Sequence, residues 1–373
     1  MSSNKFEKTL RDILSLTDIK INGSNPWDIQ VHNKKFYKRV LSEAELGMGE
    51  SYMDGWWDCE KLDELAFRII RANLDEKVKR NLSILFGLFL ARLTNLQTTK
   101  KAFIIGERHY DLGNDLFQNM LDKRMNYSCA YWKDAGSLDE AQENKLELIC
   151  KKLYLKPGMR VLDIGCGWGA FGKYAAEKYD VSTVGITVSK EQVALGKELC
   201  KGLPVEFRLQ DYRAVNEKFD RIVSVGMIEH VGYKNYRKIF EVAYRCLGDG
   251  DFFLLHTIGE VQSRKSIDPW TQKYIFPNSM LPSISQLGKA IEKLFVMEDW
   301  HSFGHDYDKT LIAWYNNFNS NWDKIKNHYG ERFYRMWKYF LVPSAGSFRG
   351  RRNQLWQIVL SKNGIIGGYQ PVR

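Results

Sequence analysis

Two side chains of this sequence have the type and the surroundings to move a proton out of contact with water. Glu229 follows an apolar run in RIVSVGMIEHVG, and His256 sits inside a second one, FFLLHTIG. A carboxyl group and an imidazole at neighbouring strand ends can converge as general acid and base, whereas a lone histidine in an apolar strand is more often a satisfied core residue. His301 and His305 have i, i+4 spacing with acids nearby. They lack a clear third ligand and Gly304 opposes a helix, so no metal site is expected.

A third stretch, Arg160–Gly169, reads RVLDIGCGWG. Branched apolar residues run into Gly165, Gly167 and Gly169, as in a buried strand that empties into a tight turn before a helix. Glycine there lets a ligand approach the backbone, and the first helical turn presents unpaired N–H groups to the crevice. A dinucleotide fingerprint would space its glycines GxGxxG and end the second strand in an acid. Here the spacing is GxGxG and the second strand, 182–187, ends in Thr187. A nicotinamide cofactor is therefore disfavoured. S-adenosylmethionine, which needs backbone contacts but no phosphate cradle, suits the pattern better than a merely structural turn.

Strands near 159–164, 182–187, 205–209, 220–225 and 251–258 alternate with helices near 170–178, 189–200 and 234–246. This alternation predicts a doubly wound parallel sheet whose ligand crevice lies past the carboxyl ends of its strands. Ahead of it, YDLGNDLF (110–117) and NYSCAYW (126–132) are rich in aromatic and small polar residues. Residues 1–75 read as small helices and turns, with a helical period over 64–73 and a local core at Trp56 and Trp57. Between the two, Lys77, Lys79, Arg80, Arg92, Lys100 and Lys101 flank the apolar run 82–93. Such a helix can lie in a membrane interface or link two domains. The expected division is a helical N-terminal domain and linker over 1–100 and a catalytic domain over 101–373.

With 373 residues, 44% hydrophobic and 27% charged, the chain can bury a large core. Its net charge is +10, and from Arg332 to Arg373 there are eight Lys or Arg and no acid. That bias fits phosphates of nucleic acid or lipid head groups. Six scattered cysteines without a CxxC pair, no signal-peptide core and no long apolar span predict a cytoplasmic protein without a transmembrane segment.

Taken in order, INGS, GESYMDGWWD, YDLGNDLF, YSCAYW, VLDIGCGWG, RIVSVGMIEHVG, LLHTIG, DPWTQKYIFPN and QLWQIVLS resemble the bacterial cyclopropane-fatty-acyl-phospholipid synthases over nearly the whole chain. The resemblance implies an α/β fold: a doubly wound, Rossmann-like class I methyltransferase sheet with a small helical N-terminal domain. It implies addition of a methylene from S-adenosylmethionine across a cis double bond of a phospholipid acyl chain, through methyl transfer, a carbocation, deprotonation by bound bicarbonate and ring closure. The catalytic cage carried over is Cys129, Glu229, His256, Ile258 (through its backbone) and Tyr307. The cofactor residues are Tyr127, Ser128, Gly165, Gly167, Thr187, Gln192, Gln210 and Asp211. Family members often carry a cysteine where this chain has Ser344, in PSAGSFRGRR, which puts a covalent role there in doubt. Arg349, Arg351 and Arg352 could meet lipid phosphate. The implied setting is the inner face of the cell membrane, with a bilayer of unsaturated lipid as partner, no nucleic acid, and a homodimer. An RNA methyltransferase would share the cofactor loop and the basic tail, but no NPPY-like motif follows strand 220–225. A lipid carrier with a relict cofactor site would not require Glu229, His256 and Tyr307 together.

Overall fold

The structure is a computed structural model that describes residues 3–74 and 113–373. The basic-flanked apolar stretch over 76–101 lies outside the described residues. The chain forms two compact units, one of Met1–Met120, Ile267–Asn278 and Leu311–Arg352, the other of Leu121–Ser266, Ser279–Thr310 and Asn353–Arg373.

The first unit is helical, with helices Ser3–Leu14, Lys35–Glu43, Glu45–Met53, Leu62–Arg71, Pro269–Tyr274 and Trp322–Arg349, and a two-residue ribbon pairing Gln30–Val31 with Trp57–Asp58. Trp57 is fully buried among Phe36, Tyr52, Leu62 and Val342, and Trp56 packs against this cluster. The unit is larger than a cut near residue 100 would make it, because two distant segments complete its core and its ion pairs. Lys273 Nζ and the Tyr274 hydroxyl reach Glu50 Oε1 at 2.6 and 2.9 Å, and Arg335 Nη2 meets Asp58 at 2.7 Å. Gly346 lies so close to Asp63 that an added Cβ would sit 2.1 Å from its carbonyl oxygen.

The second unit is built on a seven-stranded sheet: β1 Arg160–Ile164, β2 Ser182–Thr187, β3 Val205–Leu209, β4 Phe219–Val225, β5 Leu247–Glu260, β6 Phe295–Ser302 and β7 Asn353–Lys362. Their spatial order is β3-β2-β1-β4-β5-β7-β6. Successive residues feed opposite faces. Leu162, Ile222, Phe253 and Leu255 enter one core cluster, while Val161, Val223, Phe252 and Leu254 enter the other. Burial on both faces is why these strands read as continuous apolar runs. The sheet is mixed rather than wholly parallel, since β7 runs antiparallel to both β5 and β6. Glutamines and a serine interrupt the apolar pattern of β7, and the half-exposed edge strand β6 carries acids and a bulge between Met297 and Asp299, so neither announced itself as a strand. β1 lies between β2 and β4, where the winding of the sheet reverses. That reversal opens the crevice in which open α/β sheets bind ligands.

Candidate active site

The strand ends open on a cavity of about 470 Å3, a size typical of small-ligand sites. Four of the places that line it hold the expected cofactor residues: Tyr127 and Ser128 ahead of the sheet, Gly165 and Gly167 past β1, Thr187 and Gln192 past β2, and Gln210 and Asp211 past β3. The turn after β1 has the conformation its glycines suggest. Gly165 has φ +84°, and a Cβ there would press on the Met227 side chain at 2.8 Å; Gly167 has φ +56°. Few L side chains adopt either angle without strain. Past β2, Ser189 caps the helix Lys190–Leu199 by accepting from the Gln192 N–H, and the Thr187 hydroxyl donates to Gln192 Oε1 at 2.7 Å. The pair presents neutral polar groups where a dinucleotide site would show a carboxylate. The Asp211 carboxylate is held by Arg213 Nε and Nη2 at 2.8 and 2.7 Å.

Beside the cavity-lining Met227 and His230, the chain buries the groups expected to move a proton. A short 3-10 turn, Ile228–His230, turns Glu229 inward, where it is 5% exposed. Its Oε1 accepts from the Ile258 N–H at 2.7 Å, which ties the carboxyl to β5. The Ile258 carbonyl accepts from the Thr257 hydroxyl. Ile258 thus anchors Glu229 through its backbone. Burial pushes the Glu229 carboxyl up to about 7, the range in which a carboxyl group can exchange a proton near neutrality. Its second oxygen, Oε2, has no hydrogen-bond partner.

His256 lies opposite Val225 of β4 on one side and Gln357 of β7 on the other. Burial holds the ring well below its usual range, so it is neutral. Gln357 Nε2 lies 3.3 Å from Nδ1. Donation from that amide leaves the ring proton on Nε2, which is buried and unpartnered. Cys129 is fully buried, its thiol pushed far up by burial and donating to the Ala130 carbonyl, so it is no nucleophile. Tyr307, in the first turn of the helix His305–Ser320, keeps its proton for the same reason, and its hydroxyl feels the charges of Cys129, Tyr127 and Glu229. Cys129, Tyr307 and Glu229 are all buried, and Tyr127 lines the cavity. Tyr236 is buried too: its hydroxyl has no partner and feels Glu229.

Sequence reasoning missed Tyr236, Gln357 and Lys145. The signal for Gln357 was a polar residue between Trp356 and Ile358 of a buried run. For Lys145 it was a place on the apolar stripe Leu138, Ala141, Gln142, Lys145, Ile149 of the helix Leu138–Lys152. Other expected residues are engaged elsewhere. The Ser344 hydroxyl donates to the Phe340 carbonyl within its own helix. Arg349 pairs with Asp63 and Glu64 at 2.8 and 2.6 Å, which takes it out of the cluster read as a phosphate contact. His301 lies 3.1 Å from Lys152 Nζ and His305 pairs with Asp306. Among the described residues no helix is long and apolar enough to cross a membrane.

The chain as a whole is similar to known proteins. The family model for mycolic acid cyclopropane synthetase matches residues 97–358. The cyclopropane-fatty-acyl-phospholipid synthase of Escherichia coli K12 is 54% identical over 370 residues, covering 99% of this chain and 97% of its own. Among solved structures, the cyclopropane synthase MmaA2 of Mycobacterium tuberculosis aligns with a TM-score of 0.65 and 30% identity, over 72% of this chain and 100% of its own. The mycolic acid cyclopropane synthase CmaA1 complexed with SAH and CTAB aligns with a TM-score of 0.63 and 33% identity, over 72% of this chain and 99% of its own.

Proposed function

This chain belongs to the bacterial cyclopropane fatty acid synthase family of S-adenosylmethionine-dependent methyltransferases, and from that premise we propose that it adds a methylene across a cis double bond of an unsaturated acyl chain in a membrane phospholipid. The observation that carries this reading is the pair of buried, unpartnered polar atoms, Glu229 Oε2 and His256 Nε2, next to residues that line the cofactor cavity. Cyclopropanation needs groups of this kind, because a proton must leave the transferred methyl before the ring can close.

An alkene is a weak nucleophile, so the chain's first task is to hold the sulfonium methyl in line with it and to keep water away. The glycine turn after β1 and the Thr187–Gln192 pair serve the holding. The burial of Cys129, Tyr307 and Glu229 serves the exclusion. Tyr127 lines the cavity, and an aromatic face there would stabilise positive charge developing on the acyl chain. Bicarbonate fits the donors present: a buried anion needs N–H or O–H groups, and His256 Nε2, a protonated Glu229 and the Tyr236 hydroxyl are such groups. Held there, bicarbonate would supply the base that takes the methyl proton. Since the substrate chain lies in a bilayer, the protein works at the inner surface of the membrane, as a homodimer, and its net charge of +10 favours anionic lipid.

Mass spectrometry of unsaturated phospholipid vesicles incubated with the protein and S-adenosylmethionine tests this. Acyl chains heavier by one CH2 with the double bond gone are expected. Methylated chains that stay unsaturated would overturn the ring-closing step, and unchanged lipid would overturn the function.

A further inference from the structure

Lys145 is a cation in a place where cations are expensive. It is 1% exposed, in the middle of the helix Leu138–Lys152, and it lines the cavity. Its ammonium donates to Asn126 Oδ1 at 2.8 Å and to the Ser128 hydroxyl at 3.0 Å. An ammonium carries three N–H donors, so one remains after these two. The acids that act on it, Asp122 and Asp163, do so through space. Asp122 is occupied with Asn126, whose N–H and Nδ2 donate to it at 2.8 and 2.9 Å. Asp163 is itself buried, its carboxyl raised to about 7. Burial holds the Lys145 ammonium down to about 8, so it is charged at neutral pH. A buried charge calls for a counter-charge at contact distance, and the chain supplies hydrogen-bond acceptors there instead.

We infer that Lys145 binds the α-carboxylate of S-adenosylmethionine and thereby sets which way the cofactor lies across the sheet; this rests on the cofactor reading proposed above. The carboxylate is the one anionic group of that molecule, so a buried ammonium can favour only that end. Lys145 and Asp163 of β1 both line the cavity, and Gln210 and Asp211 follow β3, two strands and about 10 Å from β1. With its carboxylate at Lys145, the rest of the cofactor runs over the ends of β2 and β3. Its sulfonium then stays clear of the ammonium by the length of the amino-acid chain. The neighbours of Lys145 are built to keep this geometry. Gln142 Nε2 donates to the Ser128 carbonyl at 2.9 Å, so Ser128 is fixed by its hydroxyl and its backbone at once.

Calorimetric titration at pH 7 with S-adenosylhomocysteine and with 5′-methylthioadenosine, which lacks the amino-acid end, tests the assignment. Lys145→Met should weaken S-adenosylhomocysteine about 10- to 100-fold and change methylthioadenosine less than about twofold. An equal loss for both ligands would mean that Lys145 only shapes the Tyr127–Ser128 segment, and would overturn the assignment, as would no loss. Should the variant not fold, the unaltered protein decides: decarboxylated S-adenosylhomocysteine is expected to bind it 10- to 100-fold more weakly than the parent compound, and equal affinity would overturn the inference. An unaltered protein that binds none of these nucleosides would overturn the cofactor reading as well.

Discussion

The cofactor cavity and the dry pocket around Glu229 are neighbours made by opposite means. The cavity is shaped by backbone. Positive-φ glycines, a capped helix start and the Thr187–Gln192 pair form it, and its side chains largely satisfy one another. The pocket is shaped by desolvation. It leaves Glu229 Oε2, His256 Nε2 and the Tyr236 hydroxyl without partners and shifts the first two groups in opposite directions, both toward the neutral form. The difference teaches a division of labour. Recognition of a large, flexible cofactor rests mostly on geometry that is cheap to keep, the buried Lys145 excepted. Proton transfer rests on polar groups held at a cost, which are ready for a ligand or a reacting methyl group.

The sharpest way to break this comparison is Glu229→Gln. The amide keeps the hydrogen bond from Ile258 but cannot exchange a proton, so turnover should fall about 100- to 10,000-fold while the affinity for S-adenosylhomocysteine stays within about twofold. Steady-state kinetics and titration on one preparation check both, and parallel losses would erase the distinction between cavity and pocket. Gly165→Val attacks the other side. A branched side chain at φ +84° against Met227 should weaken nucleoside binding by at least about 100-fold, as read by titration; retained binding would refute the geometric account of the turn.

The cost of the pocket should itself be measurable. The Glu229 carboxyl rises from 4.5 to about 7 on folding, so the native state binds the proton more tightly than the unfolded chain. This stabilising contribution is complete below pH 4.5 and is lost as pH rises through 7. At pH 8 the non-titrating Glu229→Gln protein should therefore be more stable than the parent, by up to about 3 kcal/mol. The difference should shrink toward zero by pH 4. Urea unfolding at the two pH values reads it, and a constant difference would place the cost elsewhere. The smallest effect is expected from Gln357→Leu. Loss of the amide beside His256 Nδ1 frees the ring tautomer, so kcat should drop about tenfold and its pH profile should shift, with KM unchanged. A change in KM alone would make Gln357 a structural residue.

Much of this was legible in the chain itself. Strands β1 and β2 stand where their apolar runs put them, because strands buried on both faces leave an uninterrupted signal. Glu229 and His256 could be picked out as polar residues ending or interrupting such runs. β7 could not, because Gln354, Gln357 and Ser361 break its pattern, and the use of Gln357, beside His256, appears only when the strand lies beside β5. Lys145 was hidden for a different reason. Among Glu140, Glu143, Asn144 and Glu147 it resembles a solvated surface residue, although its helical phase matches that of Leu138, Ala141 and Ile149. The extent of the helical unit was hidden too, since residues 311–352 join it through contacts that no local pattern encodes.

The interleaving of the two units bears on how a cell makes this protein. The chain changes unit after residues 120, 266, 278, 310 and 352. Strand β7, which lies between β5 and β6, is synthesised after every other strand of the sheet. On the ribosome, neither unit can finish before the segments that complete it emerge. The early helices wait for Trp322–Arg349, and strands β1 to β5 wait with the backbone groups on the edge of β5 unpaired. Folding is therefore a late event dominated by contacts between distant parts of the chain, which is slow and exposes the nascent chain to aggregation and to chaperones.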